Sequence, residues 1–452
     1  MLARREDGAV LETANSGVPK AVARRGFLRR RTLVILQWII GAALAGSRST
    51  AAERRPTPLE HQVYVWQRAW NEPVREALST RGGPFSRWMV LGAEIHWKAG
   101  TPQVTQVEAD FAHLAKTRKA VGLALRVGAF GGPFQNSSRE LDALKAALHE
   151  EIRRAKASGV EPAELQLDFD CASSKLAGYR VWIQALKREF TPYPLTLTAL
   201  PDWLGKPGFL ELARASDGFV LQVHSLKRPT SFAATFSPCD PNAARRAALQ
   251  ASQMSIPFFI ALPTYGYLCA FDEKDRFLGL SAEGPRPDWP TGTRLKEIRS
   301  DERSIAGLVR EWTAQPPPGL RGVIWYRLPV DGDRLNWSWP TLQSVIAGKA
   351  PTADLKAELV SEDSLLFEID LLNRGTSDAI QPAQIRLQWR GSRLVAADGL
   401  AGFQAEDAGP ATLRFSSPTG SFRLEPGRRQ RVGWARFSKP TEVSIEVSSP
   451  AR

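Results

Sequence analysis

Eight short runs rich in β-branched and aromatic residues recur in order along this chain, separated by segments of helical periodicity, and this alternation restricts the fold more than any other feature. The runs fall at 62–66, 89–95, 122–127, 164–169, 195–199, 218–223, 258–262 and 322–327. The clearest intervening segment is 138–157. There Ser138 is placed to cap a helix, Glu140 sits in its first turn, and Leu141, Leu144, Leu148 and Ile152 recur on one face. Strand and helix alternating in this way predict a parallel sheet with helices outside it. An open doubly wound sheet carries a glycine-rich phosphate loop after its first strand, whereas Trp66-Gln67-Arg68-Ala69-Trp70 has no glycine. The expectation is therefore an α/β protein, a closed (β/α)8 TIM-type barrel over 60–349.

After Ala350 the helical periodicity stops. Short alternating runs at 365–371, 385–389, 411–415 and 443–447, with Gly and Pro between them, predict a small antiparallel β-sandwich over 353–450. It serves either to support the barrel or to bind a ligand.

The formal net charge is +13, but nine Lys or Arg against three Asp or Glu occur up to Ala52, so about half of the excess lies in the N-terminal segment. The remainder is dispersed, with no basic run or nucleic-acid motif, and no nucleic-acid partner is expected. Arg24-Arg25-Gly26-Phe27-Leu28 followed by an apolar stretch over 32–45 is similar to a twin-arginine export signal. That stretch is shorter than the roughly 20 residues that cross a bilayer. Small-residue sites follow at Ala43-Leu44-Ala45 and Ser49-Thr50-Ala51-Ala52, so residues 1–52 are expected to be cleaved, with retention as a membrane anchor the alternative. A periplasmic or extracellular location follows from either. The three cysteines, Cys171, Cys239 and Cys269, have no metal-finger spacing, and Cys239 with Cys269 is the better pair for one disulfide.

In such a barrel the site lies at the carboxyl ends of the strands, where inward side chains converge. On the fourth strand Leu165, Leu167 and Phe169 form the apolar face that meets helices, which sends Gln166, Asp168 and Asp170 inward. Alternation on the second strand puts Leu91, Ala93 and Ile95 outward and Gly92, Glu94 and His96 inward. The first strand offers Tyr64, Trp66 and Arg68, the third Arg126, the fifth Thr196 and Thr198, the sixth Gln222 and His224, and the seventh ends in Thr264-Tyr265. On the last strand the inward set is either Trp325 with Arg327 or Ile324 with Tyr326, and the former is adopted. Trp97 and Trp203 are either loop packing or sugar subsites.

Carboxylates, imidazoles, arginines and aromatic rings at one mouth suit a sugar site. Rings stack on pyranose faces, and two carboxyls with separated pKa values can protonate a leaving oxygen and stabilise an oxocarbenium-like centre. Asp170, at the strand tip, is the candidate general acid. Asp168 orients or supports it, and Glu94 is the second carboxyl. Trp66, Arg68, His96, Arg126, Gln166, Gln222, His224, Tyr265, Trp325 and Arg327 are the candidate substrate contacts. In the opposing reading, Asp168 simply pairs with Arg126 or Arg68.

The segment Leu165 to Tyr179, LQLDFDCASSKLAGY, together with LTALPDWL, ALPTYGY and GVIWYRLP, resembles the exported bacterial family of unknown function numbered thirty-one forty-two. That resemblance implies a barrel over about 63–339 and lends no activity. More distantly, Leu167-Asp168-Phe169-Asp170 is similar to the DxxDxDxE strand of chitinase-like glycoside hydrolases. Asp168 and Asp170 match the last two aspartates of that motif, while Leu165 stands at its first Asp and Ala172 at its proton-donating Glu. On this match another carboxyl such as Glu94 supplies the acid, or the barrel binds glycan without cleaving it.

The expected function is an exported glycoside hydrolase-like protein acting on or binding a polysaccharide or oligosaccharide outside the cytoplasm. The alternative is a non-catalytic glycan-binding or envelope-assembly protein on the same barrel. A metal-dependent hydrolase built on Glu94, His96, Asp168, Asp170 and His224 lacks an HxH or HExxH spacing, so no metal is expected. No glycine signature calls for a nicotinamide, flavin or nucleotide, so no cofactor is expected either.

Overall fold

The computed structural model describes residues 59–225, 229–234, 236–282, 288–380, 383–417 and 422–448. The leader expected at 1–52 lies outside the described residues. From Pro56 onward the chain forms one compact unit.

Eight parallel strands close on themselves. They are Glu60–Val65, Arg87–Lys98, Ala120–Val127, Pro162–Phe169, Leu195–Ala199, Phe219–Gln222, Phe258–Pro263 and Leu320–Tyr326. Each pairs with the next, and the first pairs with both the second and the eighth, which leaves no edge within the ring. A helix follows each strand, from Glu72–Thr80 after the first to Trp339–Ile346 after the eighth. The helix Arg139–Ala157 shows why these segments form where they do. The Ser138 hydroxyl accepts from the Leu141 amide at 3.2 Å, acidic Glu140 and Asp142 lie in the first turn, and basic Arg154 and Lys156 lie in the last, each favourable to the helix dipole. Its Leu141, Leu144, Leu148 and Ala155 are buried in the layer that also holds Leu165, Leu167 and Phe169 of the fourth strand.

A second apolar cluster fills the barrel itself, with Tyr64, Trp66, Met89, Leu91, Ala124, Val220, Ala261 and Ile324. Below it the interior is polar. Arg87 pairs with Glu164, Thr196 donates to Glu164 at 2.5 Å, and Gln166 donates to Thr196 at 3.2 Å while accepting from the Tyr64 hydroxyl at 2.6 Å. Buried polar groups are tolerated when bonded in this way.

Two features depart from the expected alternation. On the second strand the pairing with the third skips Gly92: Leu91 stands opposite Ala124, and Ala93 opposite Leu125. This bulge reverses the parity. Leu91, expected to face the helices, lies inside the barrel, and Gly92, expected inside, faces the helix Arg139–Ala157, where a Cβ would come within 2.4 Å of the Glu151 carboxyl. On the eighth strand Ile324 and Tyr326 face inward, while Trp325 packs in the outer layer and donates from Nε1 to His61 Nδ1 at 3.2 Å. The adopted alternative was therefore the wrong one for Trp325.

Two insertions had no counterpart in the sequence reading. The second strand runs on beyond the barrel and turns back as the strand Thr101–Gln106. Between the seventh strand and its helix Glu302–Ala314 lies a three-stranded antiparallel sheet, Gly266–Phe271, Phe277–Ser281 and Arg294–Arg299. The last part of the chain forms two four-stranded antiparallel sheets around one apolar core that includes Ile369, Leu371, Ile385, Leu387, Leu413 and Phe415. The cysteines are free and buried, which corrects the pairing of Cys239 with Cys269: the first belongs to the outer barrel layer, the second to the separate core of the inserted sheet.

Candidate active site

The carboxyl ends of strands two, three and four place Glu94, Arg126 and Asp168 side by side in register, with Thr198 of the fifth strand donating to Asp168 Oδ1 at 2.8 Å. Glu94 reaches this layer only because the Gly92 bulge turns it inward. It accepts from Arg68 Nε and Nη2, both at 2.8 Å, in a forked pair, and Arg126 Nε lies 3.9 Å from it. Burial alone would raise the Glu94 carboxyl. The two Arg68 bonds and the charges of Arg68, Arg126 and His96 outweigh that and hold it below its usual range. Glu94 is thus an ionised carboxylate at neutral pH.

Asp168 behaves in the opposite way. Its carboxyl is pushed up to about 6, by burial first and then by the charge of Asp170, against the opposing pull of Arg126 and the Thr198 bond. Asp170, beyond the end of the strand, is exposed. Two carboxylates in one mouth are thereby set apart: one is ionised by an arginine fork, and one keeps its proton to mildly acidic pH. The mouth is open to solvent here, since the side chains of Arg68 and Arg126 are 45% and 39% exposed.

The opposite wall is aromatic. Tyr326 stacks on His224 with ring centroids 5.5 Å apart, and meets Tyr64, Trp66 and Tyr265 at 5.7, 5.5 and 5.4 Å. His224 is buried, and burial lowers its pKa to about 3, so the imidazole is neutral. Its Nδ1 lies 3.0 Å from the Tyr265 hydroxyl, which in turn is bonded to Ser225 at 2.5 Å and Tyr267 at 3.0 Å. Tyr326 and Tyr267 were missed by the sequence reading. The first was visible as the rejected parity of strand eight; the second lies in the inserted sheet.

The other expected contacts divide. Gln166 is inside the barrel but one layer below the mouth, bonded to Tyr64 and Thr196. Gln222 faces inward from strand six and donates to the His224 carbonyl at 3.5 Å. His96 is exposed on the part of strand two that extends beyond the barrel, opposite Gln103 of the returning strand and beside Gly128. Arg327 is buried, paired with Asp333 and bonded to the Ala282 carbonyl at 3.4 Å, so it braces the loop after strand eight. Trp97 and Trp203 are packing: Trp97 lies 4.7 Å from Phe130, and Trp203 is fully buried between Tyr179 and Phe209. Among the described residues no three His, Cys, Asp or Glu are grouped so as to hold a metal ion, so Glu94, His96, Asp168, Asp170 and His224 do not come together as one ligand set.

Comparison with known proteins bears on the same segment. Residues 133–331 match the family described as Domain of unknown function (DUF3142). The resemblance carried by Leu165 to Tyr179 is thereby borne out. The DUF3142 match takes in Asp168, Asp170, His224, Tyr265 and Tyr326 and stops short of Trp66, Glu94 and Arg126 at its N-terminal side. A second match, to Domain of unknown function (DUF8456), covers residues 357–438 in the C-terminal sheets. No curated protein matches the chain. Among solved structures it is similar to the spore cortex-lytic enzyme SleL of Bacillus cereus, at 13% identity and a TM-score of 0.45 over 64% of this chain and 75% of that one. It is also similar to a chitinase of Chromobacterium violaceum, at 14% identity and a TM-score of 0.44 over 64% and 99%.

Proposed function

We propose that the barrel mouth is the site of a glycoside hydrolase-like protein that acts on a polysaccharide or oligosaccharide outside the cytoplasm. The observation that carries the reading is the division of labour among the mouth carboxyls: Asp168 is held protonated up to about pH 6 beside exposed Asp170, while Glu94 is held ionised by Arg68. Such a division is what acid-assisted cleavage of a glycosidic bond requires. Asp170 delivers a proton to the leaving oxygen, the bond to the anomeric carbon breaks, and water adds to that carbon, its released proton passing to Asp168. Asp168 shares and replaces that proton, and the carboxylate of Glu94 offsets positive charge developing on the ring. Tyr326, the partly exposed ring of the aromatic wall, provides the face on which a sugar rests, with buried Trp66 and Tyr265 packed behind it rather than in contact as the sequence had suggested, and with Arg68 and Arg126 at the open side for its hydroxyls.

The test is release of reducing ends by the purified chain from a panel of bacterial and plant polysaccharides, with Asp170→Asn alongside. Activity on one member that is lost in Asp170→Asn supports the reading; no release from any member overturns it. A second reading, glycan binding without turnover, is favoured by the Arg68 fork, which commits Glu94, and by Ala172 at the place of the chitinase glutamate. Binding without reducing ends selects it. Export through residues 1–52 belongs to the same proposal, with cleavage preferred over membrane anchoring. Mass spectrometry of the secreted protein checks it, since a retained Met1 excludes cleavage.

A further inference from the structure

Arg423 reaches from the C-terminal sheets to the barrel. Its neighbours Phe422 and Leu424 are buried in the C-terminal core. Ala379 and Leu424 exchange two backbone bonds, both at 3.0 Å, and the buried Asn373 amide donates to the Ser377 and Leu424 carbonyls, both at 2.8 Å, so the backbone around Arg423 is fixed. The Asp378 carboxylate holds one edge of the guanidinium, 2.8 Å from Nη2 and accepting from Nε at 3.1 Å. From this position Arg423 donates to the loop after strand eight, through Nη1 to the Arg334 carbonyl at 2.7 Å and through Nη2 to the Asn336 carbonyl at 3.1 Å. Only 15% of the side chain is exposed, so these bonds are largely shielded from water.

The carbonyl between those two, of Leu335, points the other way. It accepts from the Gly266 amide at 2.7 Å, and the Trp337 amide donates to the Thr264 carbonyl at 2.8 Å, which pairs Asn336 with Tyr265 as in an antiparallel ladder. Residues 334–337 thus act as a short strand with Arg423 along one edge and Tyr265 along the other. Ser300 holds the Tyr265 carbonyl from the far side at 2.6 Å. The Tyr265 hydroxyl lies 3.0 Å from His224 Nδ1, and its ring centroid lies 5.4 Å from that of Tyr326. We infer that Arg423 is a positioning residue of the barrel mouth: by clamping residues 334–337, the C-terminal sheets set Tyr265 and, through its hydroxyl, the imidazole of His224. A planar fork of donors can serve two carbonyls on one edge of an extended segment while a carboxylate holds its remaining edge, which a lysine cannot do. Asn336 is fully buried, so without Arg423 its carbonyl loses its donor where water is scarce. The inference rests on the mouth as the working site and not on cleavage there.

The experiment uses the full chain and needs no substrate. Hydrogen exchange is followed by mass spectrometry, and the imidazoles are followed by NMR of the chain labelled with 13C-histidine, the His224 signal among the five being the one lost in His224→Gln. In Arg423→Ala the amides of 264–267 and 333–337 are expected to exchange about tenfold faster or more, as loss of a shielded charge-assisted bond predicts, while strands two to four keep their protection. The His224 signal is expected to move and the other four to stay. Arg423→Lys should recover part of both effects, and Arg428→Ala, an exposed arginine nearby in the chain, should produce neither. Should Arg423→Ala fold poorly, Asp378→Asn, which weakens the hold on the guanidinium edge, gives the same comparison at smaller size. Faster exchange confined to the C-terminal sheets, an even loss of protection across the barrel, or an unmoved His224 signal overturns the proposal. Absence of reducing ends in the hydrolysis assay leaves it standing.

Discussion

Replacing Asp168 by Asn removes a proton-binding group while keeping an oxygen to accept the Thr198 bond at 2.8 Å, so it isolates what that proton does for the fold. The carboxyl titrates at about 6 in the folded protein against 3.8 as its ordinary value. A pKa raised by folding means that the native state holds the proton more tightly than the unfolded chain does. The resulting stability is complete below about pH 4 and is lost as pH rises through about 6. That difference in proton affinity corresponds to about 3 kcal/mol. Asn never ionises, so the stability of Asp168→Asn relative to wild type should rise by about that amount between pH 4 and 7 and stay level on either side. For a cooperative unit of this size the same difference is about 4 °C in Tm. Thermal unfolding followed by circular dichroism at half-unit pH steps measures it, and the histidine contributions at His61 and His224 cancel because both proteins share them. Parallel curves from pH 4 to 8 would refute the claim that burial and Asp170 dominate. A variant that loses ground with rising pH would show instead that Asp168 is an ionised partner of Arg126.

Asp170→Asn should abolish reducing-sugar release with little change in Tm, because the side chain is exposed; full activity in this variant excludes it as the acid. If Asp168 supplies the proton to Asp170, kcat/KM should fall as pH rises through about 6, and that limb should vanish in Asp168→Asn. His224, whose pKa burial lowers to about 3, stabilises the fold above its unfolded pKa of 6.5 and loses that contribution as pH falls, so the Tm deficit of His224→Gln should narrow on acidification from pH 6.5 to 4. Gly92→Ala should cost about 2–3 kcal/mol by driving a methyl group into Glu151, and Glu151→Ala in the same chain should recover most of it, as measured by a double-mutant cycle in urea.

The barrel was legible because burial on both sides of a parallel strand leaves long apolar runs, and Leu165, Leu167 and Phe169 alternate with polar residues clearly enough to orient the fourth strand. The inward direction of Asp168 followed directly. The eighth strand was not legible by the same rule, since Ile324, Trp325 and Tyr326 are all large and apolar enough for either face. Only the contacts of Trp325 with His61 and of Tyr326 with His224 separate them. The inserted sheet was hidden for a different reason: Gly266 to Phe271 follows Phe258–Pro263 so closely that the two strands read as one strand and its loop.

Glu94 shows how a correct direction can rest on an incomplete pattern. Strict alternation through Met89 and Leu91, both of which fill the barrel, would carry Ala93 and Ile95 inside and turn Glu94 toward the helices. One residue prevents this. Gly92 is inserted without a partner on the third strand, its carbonyl accepts from the Val107 amide at 2.8 Å, and the space its missing side chain leaves is filled by the buried carboxyl of Glu151. Burial raises that carboxyl well above its usual range, and both oxygens lie without a hydrogen-bond partner among the described residues. The helix Arg139–Ala157 therefore carries an acid whose protonated form fits against the bulge. Disturbing either partner should act on the mouth at a distance: if the bulge is relieved, the strand returns to simple alternation, Arg68 loses its fork on Glu94, and Arg126 is left with Asp168 as its nearest carboxylate. Asp168 would then ionise more readily, so a variant that removes the bulge should lower the pH of the activity limb as well as the stability of the barrel.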